Sequence, residues 1–412
     1  MILQSLAKYY ERLSRDTSEK TAPPGFQKKE IHFVLVLNTD GSLADIQDTR
    51  TILGKKKSAR QFMVPREVKR AVNIEANLLW DNIEYTLGEL SDTKYELAMK
   101  KKGGAKKAEQ EREKAKNVQL PTFVRHIDEL SKECDDTGLK AVLAFLRSHI
   151  NEVKNHPHWA EIKKGGVNIS FRLAEENCLV CERSKVFDAI GRGTAMVGES
   201  DFRGTCLVTG NVDSIVRLHA SIRGVAGAQS SGANIVSFNL PAFCSYGKEQ
   251  SFNAPVGKTA EFAYTTALNT LLKKESRQKI PVGGTTTVFW AEQEHDLEKG
   301  FASIFGFGDD GDADKEASAR KRADYIRALL MAPDSGHRPK EDKITRFYVL
   351  GLSPNASRLS VRFWYAGAVA EIEQNIRTHF EDMAIIHSEK EDEFPRLWFL
   401  LKSLALNGEV DK

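Results

Sequence analysis

The chain has 412 residues, 41% hydrophobic and 28% charged, with a formal net charge of +3. That describes an ordinary soluble globular protein with core enough for two or three domains, and its bulk charge does not announce nucleic-acid binding. No apolar run approaches a membrane span, the N-terminus lacks the marks of a signal peptide, and five cysteines form no secreted disulfide framework, so the expected compartment is cytoplasmic.

Ile2, Leu3, Leu6, Tyr9, Tyr10 and Leu13 recur at helical spacing and predict an amphipathic helix packed on the body of the protein. Pro23, Pro24 and Gly25 end that neighbourhood. Ile31 to Leu37 reads as a buried strand, and Asp40-Gly41 predicts a hairpin into a second strand from Leu43 to Thr49. Gly54 to Arg70 then sets seven basic residues against one acidic residue, Glu67. Such a run is ordinarily a solvated face, but Phe62, Val64 and Pro65 interrupt this one and place it on ordered backbone. An ordered basic surface suits phosphate contact, which makes Lys55, Lys56, Lys57, Arg60, Arg66 and Arg70 candidate DNA-binding residues.

Asn73, Asn77 and Asn82 follow. Asparagine pairs with adenine edges in the major groove, or caps and turns backbone. Asn73 and Asn77 are candidates for base contact, and Trp80 reads as core. Lys94 to Asn117 is polar all round, broken by Gly103-Gly104, and predicts a mobile insertion or frayed helix whose lysines could track a phosphate backbone. Helix resumes at Phe123, Ile127 and Leu130, then at Leu139, Val142, Leu143, Leu146 and Ile150. A strand is expected from Val167 to Leu173, and a short helical or turn-rich passage from Val186 to Val197. Cys178 and Cys181 form a CxxC, but a closed zinc site needs four ligands and no second CxxC exists, so both read as small buried hydrophobes.

The most unusual stretch runs from Gly204 to Lys274. A short apolar run, Thr205 to Val208, precedes a Thr-Gly-Asn turn and a Gly/Ser-rich loop, Gly224 to Gly232. Val236 and Phe238 alternate with Ser237 and Asn239, predicting a strand from Ile235 to Leu240. A helix begins near Thr259. The loop is permissive in backbone and rich in neutral donors and acceptors, so Gln229, Ser230, Ser231 and Asn234 are candidates to touch base edges, with Gly227 and Gly232 allowing close approach. Gly257-Lys258-Thr259 has the end of a phosphate-binding loop, but the first glycine such a loop requires is replaced by Phe252.

Beyond it, Thr285 to Ala291 is an expected strand. Glu292 to Asp314 is acidic and Gly-rich, without calcium-loop spacing. A helix from Ala317 to Met331 precedes strands Phe347 to Leu352 and Leu359 to Tyr365, joined by a Pro-Asn turn, and a helix from Val369. That order hints at a ferredoxin-like unit. The last helix, Phe394 to Leu406, carries Leu397, Trp398, Leu400 and Leu401. The class is α+β, in three regions: 1–155, 156–280 and 281–412.

Several blocks carry a family resemblance: MILQSLAKYYERL, APPGFQKKEIHFVLVLNTDGSL, LLWDNIEYTLG, TCLVTG, RLHASIRGVAGAQSSGANIVSFN, SYGKEQSFNAPV, FAYTTALNTLL and TTTVFWAEQ. Colinear from residue 1 to about 405, they resemble the large subunit of the type I-C CRISPR surveillance complex, Cascade. That family continues into a C-terminal helical bundle, which this chain is expected to lack, leaving part of the last helix's apolar face exposed. The resemblance implies a non-catalytic, nucleic-acid-binding subunit at the 5′ end of the CRISPR RNA, beside the subunits that hold the guide. There it would read the protospacer-adjacent motif (PAM) on duplex DNA, promote unwinding, and help recruit a helicase-nuclease. Gln229 is the candidate wedge at the first opened base pair. No cofactor or membrane is implied. The alternative is a metal-dependent nuclease or nucleotide-binding enzyme using the cysteines or Gly257-Lys258-Thr259.

Overall fold

The computed structural model describes residues 1–15, 21–53, 56–68, 70, 74–101, 103–196, 202–307, 315–331, 345–384, 386 and 393–405. Its packing divides the chain into two units, Thr21–Gly198 and Glu199–Lys412, the latter joined by Met1–Lys20. The first helix, α1 (Ile2–Arg15), buries Leu6, Tyr9, Tyr10 and Leu13 as their spacing predicts.

In the 21–198 unit, the strands β1 (Phe26–Glu30), β2 (Phe33–Leu37), β3 (Leu43–Asp48), β4 (Arg50–Leu53), β5 (Lys56–Ala59), β6 (Gln61–Pro65) and β7 (Trp80–Asp81) come first. Every residue of β2 is buried, because β2 lies inside a sheet of order β3-β2-β8-β7 with β8 (Ile169–Leu173) parallel to it. The β2–β3 hairpin turns at Gly41, whose φ is +91°. Two smaller antiparallel pairs, β1–β6 and β4–β5, carry the basic segment.

A parallel neighbour requires a long crossover. Here it contains α2 (Ile83–Thr86), α3 (Asp92–Met99), α4 (Gly104–Lys114), α5 (Leu120–Glu133), α6 (Thr137–Ala144) and α7 (Trp159–Lys164). The stretch Lys94–Asn117, expected to be mobile or frayed, is instead a helical hairpin of α3 and α4 turned at Gly103 with φ +76°. Its buried residues are small, Ala98 and Ala108, with Ala115 just beyond α4. Two polar helices can approach closely when alanines form the seam. Ion pairs Arg112–Glu109 and Lys114–Glu111 join exposed side chains of α4, and the Arg112 guanidinium reaches across to lie 4.9 Å from the centroid of the Tyr95 ring of α3. After β8, α8 (Ser184–Met196) closes the unit, with Phe187 stacked on Phe26 at 4.0 Å.

The second unit begins with the short hairpin β9 (Arg203–Thr205) and β10 (Val212–Ser214) and the buried helix α9 (Lys258–Leu271). Its sheet contains β11 (Lys279–Val282), β12 (Thr285–Ala291), β13 (Arg346–Asn355) and β14 (Arg358–Ala368). Alternate residues of β12 explain the layers: Val288 and Trp290 face a core with α1 and α9, whereas Phe289 and Ala291 face one with α10 (Asp296–Ile304), α11 (Lys315–Met331) and α12 (Val369–Asp382). The last helix, α13 (Leu397–Leu404), exposes Trp398, Phe399 and Leu404.

The fold is α+β, as expected, but three details differ. The four strands of the second sheet are neighbours in chain order and antiparallel throughout. A ferredoxin-like unit would place β12 and β13 parallel, with another strand between them, so that unit is not formed. Residues Ile235–Leu240 are not a strand. Asn234 makes one bridge with Arg358, and the chain then leaves the sheet for a 3₁₀ turn at Pro241–Phe243. The two units also cut the chain elsewhere than the three expected regions do, because β8 pairs with β2 and α1 packs along α9.

Candidate nucleic-acid interface

Of the basic segment, residues 56–68 and 70 are described, and their cations fall into distinct settings. Lys55 and Asn73 lie outside the described residues, and Lys56 and Lys57 are described only as backbone paired in β5. Arg60 sits between β5 and β6, with its amide bonded to Thr49 O and its carbonyl accepting from Ile31 N. Its side chain is exposed, with the guanidinium 5.0 Å from the centroid of the Phe62 ring. Such a cation is held by its backbone yet turned to solvent. Arg66 is half-buried, and its amide donates to Gly25 O.

Arg70 serves the fold. Its guanidinium pairs with the buried carboxylate of Asp81, donates through Nε to Glu75 O at 2.6 Å, and lies 4.0 Å from the centroid of the Tyr85 ring. Burial pushes the Asp81 carboxyl above its ordinary range, opposed by Arg70 and by the amides of Asn77 and Asn82. Asn77 is only 5% exposed, and its Oδ1 accepts from Val68 N at 2.9 Å. As placed, Asn77 braces the turn rather than presenting its amide to a groove. Trp80 is core, its Nε1 donating to Pro65 O at 2.8 Å, and Asn82 caps α2.

The glycine-rich loop belongs to the other unit. Ile222 and Ala233 close its neck with reciprocal backbone hydrogen bonds of 2.8 and 2.9 Å. Asn269 Oδ1 of α9 accepts from Arg223 N, and Thr286 Oγ1 of β12 accepts from Ala226 N. Gly224 and Gly232 both have φ of +90°, and a Cβ on either would sit 2.4 Å from Leu272 O or 2.7 Å from Ile222 O. These glycines therefore let the loop fold onto its own base. Gly227, with φ +74°, approaches Pro354. Asn234 is committed as well, its Nδ2 donating to His219 O at 2.8 Å. What the loop presents is its tip: Gln229, Ser230 and Ser231 are exposed, and Gln229 O accepts from Gly232 N to close the turn.

The motifs behind the enzyme alternative are also placed. Asp213 Oδ2 accepts from Thr259 N at 3.1 Å, at the start of α9, and would meet a Cβ on Gly257 at 2.4 Å. The chain's own carboxylate thus stands where a phosphate would bind a phosphate loop. Cys181 is fully buried, its thiol pKa pushed well up by burial, and Cys178 Sγ lies 3.8 Å from Glu176 Oε2. Among the described residues no group of three or more His, Cys, Asp or Glu is positioned to hold a metal ion. No described helix is long and apolar enough to cross a membrane. The acidic run Asp309 to Asp314 lies outside the described residues.

Tyr246, which the fold presents on a turn of its own, was not among the sequence candidates. The Tyr-Gly pair at 246–247 was the available signal, since a glycine in a two-residue turn marks a hairpin tip.

The family model for CRISPR-associated proteins of the Csd1 type matches residues 6–412. The chain belongs to this family. The match spans both units and agrees with the resemblance to the type I-C Cascade large subunit carried by the sequence blocks. No curated protein matches the chain.

Proposed function

We propose that this CRISPR-associated protein is the non-catalytic large subunit of an RNA-guided surveillance complex, reading the PAM on duplex DNA and starting strand separation for the guide. The supporting observation is the exposed Gln229–Ser231 tip on a loop whose neck, glycines and flanking amides are tied down. Neutral side chains on a rigid base suit hydrogen bonding to base edges, whereas cations hold phosphates without reading sequence. Arg60, with Lys55, Lys56, Lys57 and Arg66, would supply attraction for the phosphate backbone. Asn73 remains a candidate base reader. Partners on this reading are the CRISPR RNA, the duplex target, the neighbouring Cascade subunits and the helicase-nuclease. Guide pairing would read the rest of the target, as in other RNA-guided systems.

The test is binding of the guide-loaded complex to duplexes carrying randomised bases beside the target. Affinity should depend on a short motif, and exchanging Gln229, Ser230 and Ser231 together for Ala should flatten that dependence. Affinity independent of the flanking bases in the parent complex would overturn the proposal. The chain alone, given magnesium, manganese or ATP, should leave DNA and RNA intact. Cleavage abolished by a substitution at Cys178, Cys181 or Lys258 would favour the enzyme alternative.

A further inference from the structure

Past the glycine-rich loop, residues 239–249 are almost wholly exposed. Chains without a packed side usually lack a fixed shape, yet this one is braced from within. Ser245 and Lys248 form an antiparallel bridge, with Lys248 N donating to Ser245 O at 2.9 Å. Asn253 staples the turn from behind: Oδ1 accepts from Ser245 N at 2.9 Å, and Nδ2 donates to Lys248 O at 3.0 Å and Gln250 O at 2.9 Å. Arg217 Nη1 adds a 2.7 Å bond to Gln250 Oε1.

Tyr246 and Gly247 occupy the tip, with φ of +51° and +68°. For a bulky residue the left-handed region is strained. Asn or Gly would fill that position without the strain. Packing does not explain the choice, since Tyr246 is 97% exposed. A strained, braced and fully presented ring is thus a feature that folding does not need.

The surroundings bear on the partner. Within the turn itself Ser245, Gly247, Lys248, Glu249 and Gln250 offer no second apolar side chain; the exposed apolar groups of the segment, among them Leu240 and Cys244, precede it. A lone π-face flanked by polar groups and a lysine suits stacking on a flat, polar-edged partner. We propose that Tyr246 is a stacking platform for an unpaired nucleobase. The inference rests on the nucleic-acid reading above and deepens it. The base could belong to the guide RNA or to a DNA strand opened at the target.

Tyr246→Asn removes the ring while relieving the backbone, and Tyr246→Phe keeps it. Melting temperature should be unchanged or higher for Tyr246→Asn, which excludes misfolding as the cause of any loss. Affinity of the chain for single-stranded RNA and DNA oligonucleotides, by fluorescence anisotropy, should fall about 5- to 100-fold in Tyr246→Asn for at least one of them and stay near the parent's in Tyr246→Phe. Loss confined to RNA assigns the base to the guide, and loss confined to DNA assigns it to the opened target. Unchanged affinity of Tyr246→Asn for both strands that the parent binds overturns the stacking role and leaves the PAM reading standing. A parent that binds neither strand, tested beside PAM-dependent duplex binding by the guide-loaded complex, overturns the stacking role alone. If the duplex binding also fails, both fall.

Discussion

The basic segment and the glycine-rich loop look equally committed to a ligand in the sequence, but the fold uses them in opposite ways. In the first, an apparently available cation is drawn inward: Arg70 neutralises buried Asp81. In the second, the conspicuous glycines serve the loop's own base while plain polar residues are left at its tip. Charge is consumed wherever a buried counter-charge is within reach, whereas a polar tip stays available when its backbone is already satisfied. The contrast separates Arg70 from Arg60, which composition alone does not.

The largest effect tests the inward cation. Arg70→Ala would leave Asp81 buried without its partner and should cost about 3 kcal/mol, read as a fall in denaturation midpoint. The pH dependence has a definite sign. Burial already raises the Asp81 pKa in the folded state, so the native form binds the proton more readily than the unfolded chain. Its contribution to stability is present below the ordinary carboxylate pKa of about 4 and is lost as pH rises through the raised folded value. Without Arg70 that value rises further, so the variant should recover relative to the parent as pH falls from 7 towards 5. A parallel pH profile for the two proteins would place Arg70 among the free surface cations instead.

Gly232→Ala comes next. The new Cβ meets the Ile222 carbonyl at 2.7 Å on a backbone with φ +90°, so about 2 kcal/mol of stability should be lost. Gly247→Ala, with φ +68° but no atom within 4 Å of its Cβ, should cost only the backbone strain of about 1 kcal/mol. Equal losses at the two sites would mean that the neck of the loop gives way easily and is a poor base for a reading tip.

The tip itself is tested by kinetics. Gln229→Ala should slow opening of a paired target about tenfold, equivalent to ~1.4 kcal/mol, and spare a target pre-melted beside the PAM. Equal slowing on both substrates would remove the wedge. The smallest effect belongs to the candidate phosphate contacts. Replacing Lys57 and Arg60 together should weaken binding alike for good and bad PAMs and reduce the slope of log affinity against log salt by roughly 1.8. The same slope change from Arg70→Ala would contradict its structural pairing.

Much of the architecture was legible because it depends on local pattern. Apolar periodicity located α1 and α9, continuous apolar runs located the strands β2 and β12 that are buried on both faces, and Asp40-Gly41 located the first hairpin. The helical hairpin at residues 92–114 escaped that logic because an alanine seam buries too little surface to register as apolar periodicity. Residues 235–240 alternate like a strand, but alternation cannot supply a neighbour to pair with, and the pairing stops at Asn234.

By itself, the sequence determined the α+β class, the position of most helices and strands, and the family to which the chain belongs. It also marked the polar tip of the glycine-rich loop. Only the tertiary structure decided which candidates remain available: Asn77 and Asn234 are bonded to backbone, Arg70 to Asp81, and Tyr246 stands alone in solvent. The division has one physical cause. Periodicity and turn chemistry act between residues near in sequence, whereas the fate of a charge, an amide or a ring is set by whichever groups the fold brings within about 3 Å of it.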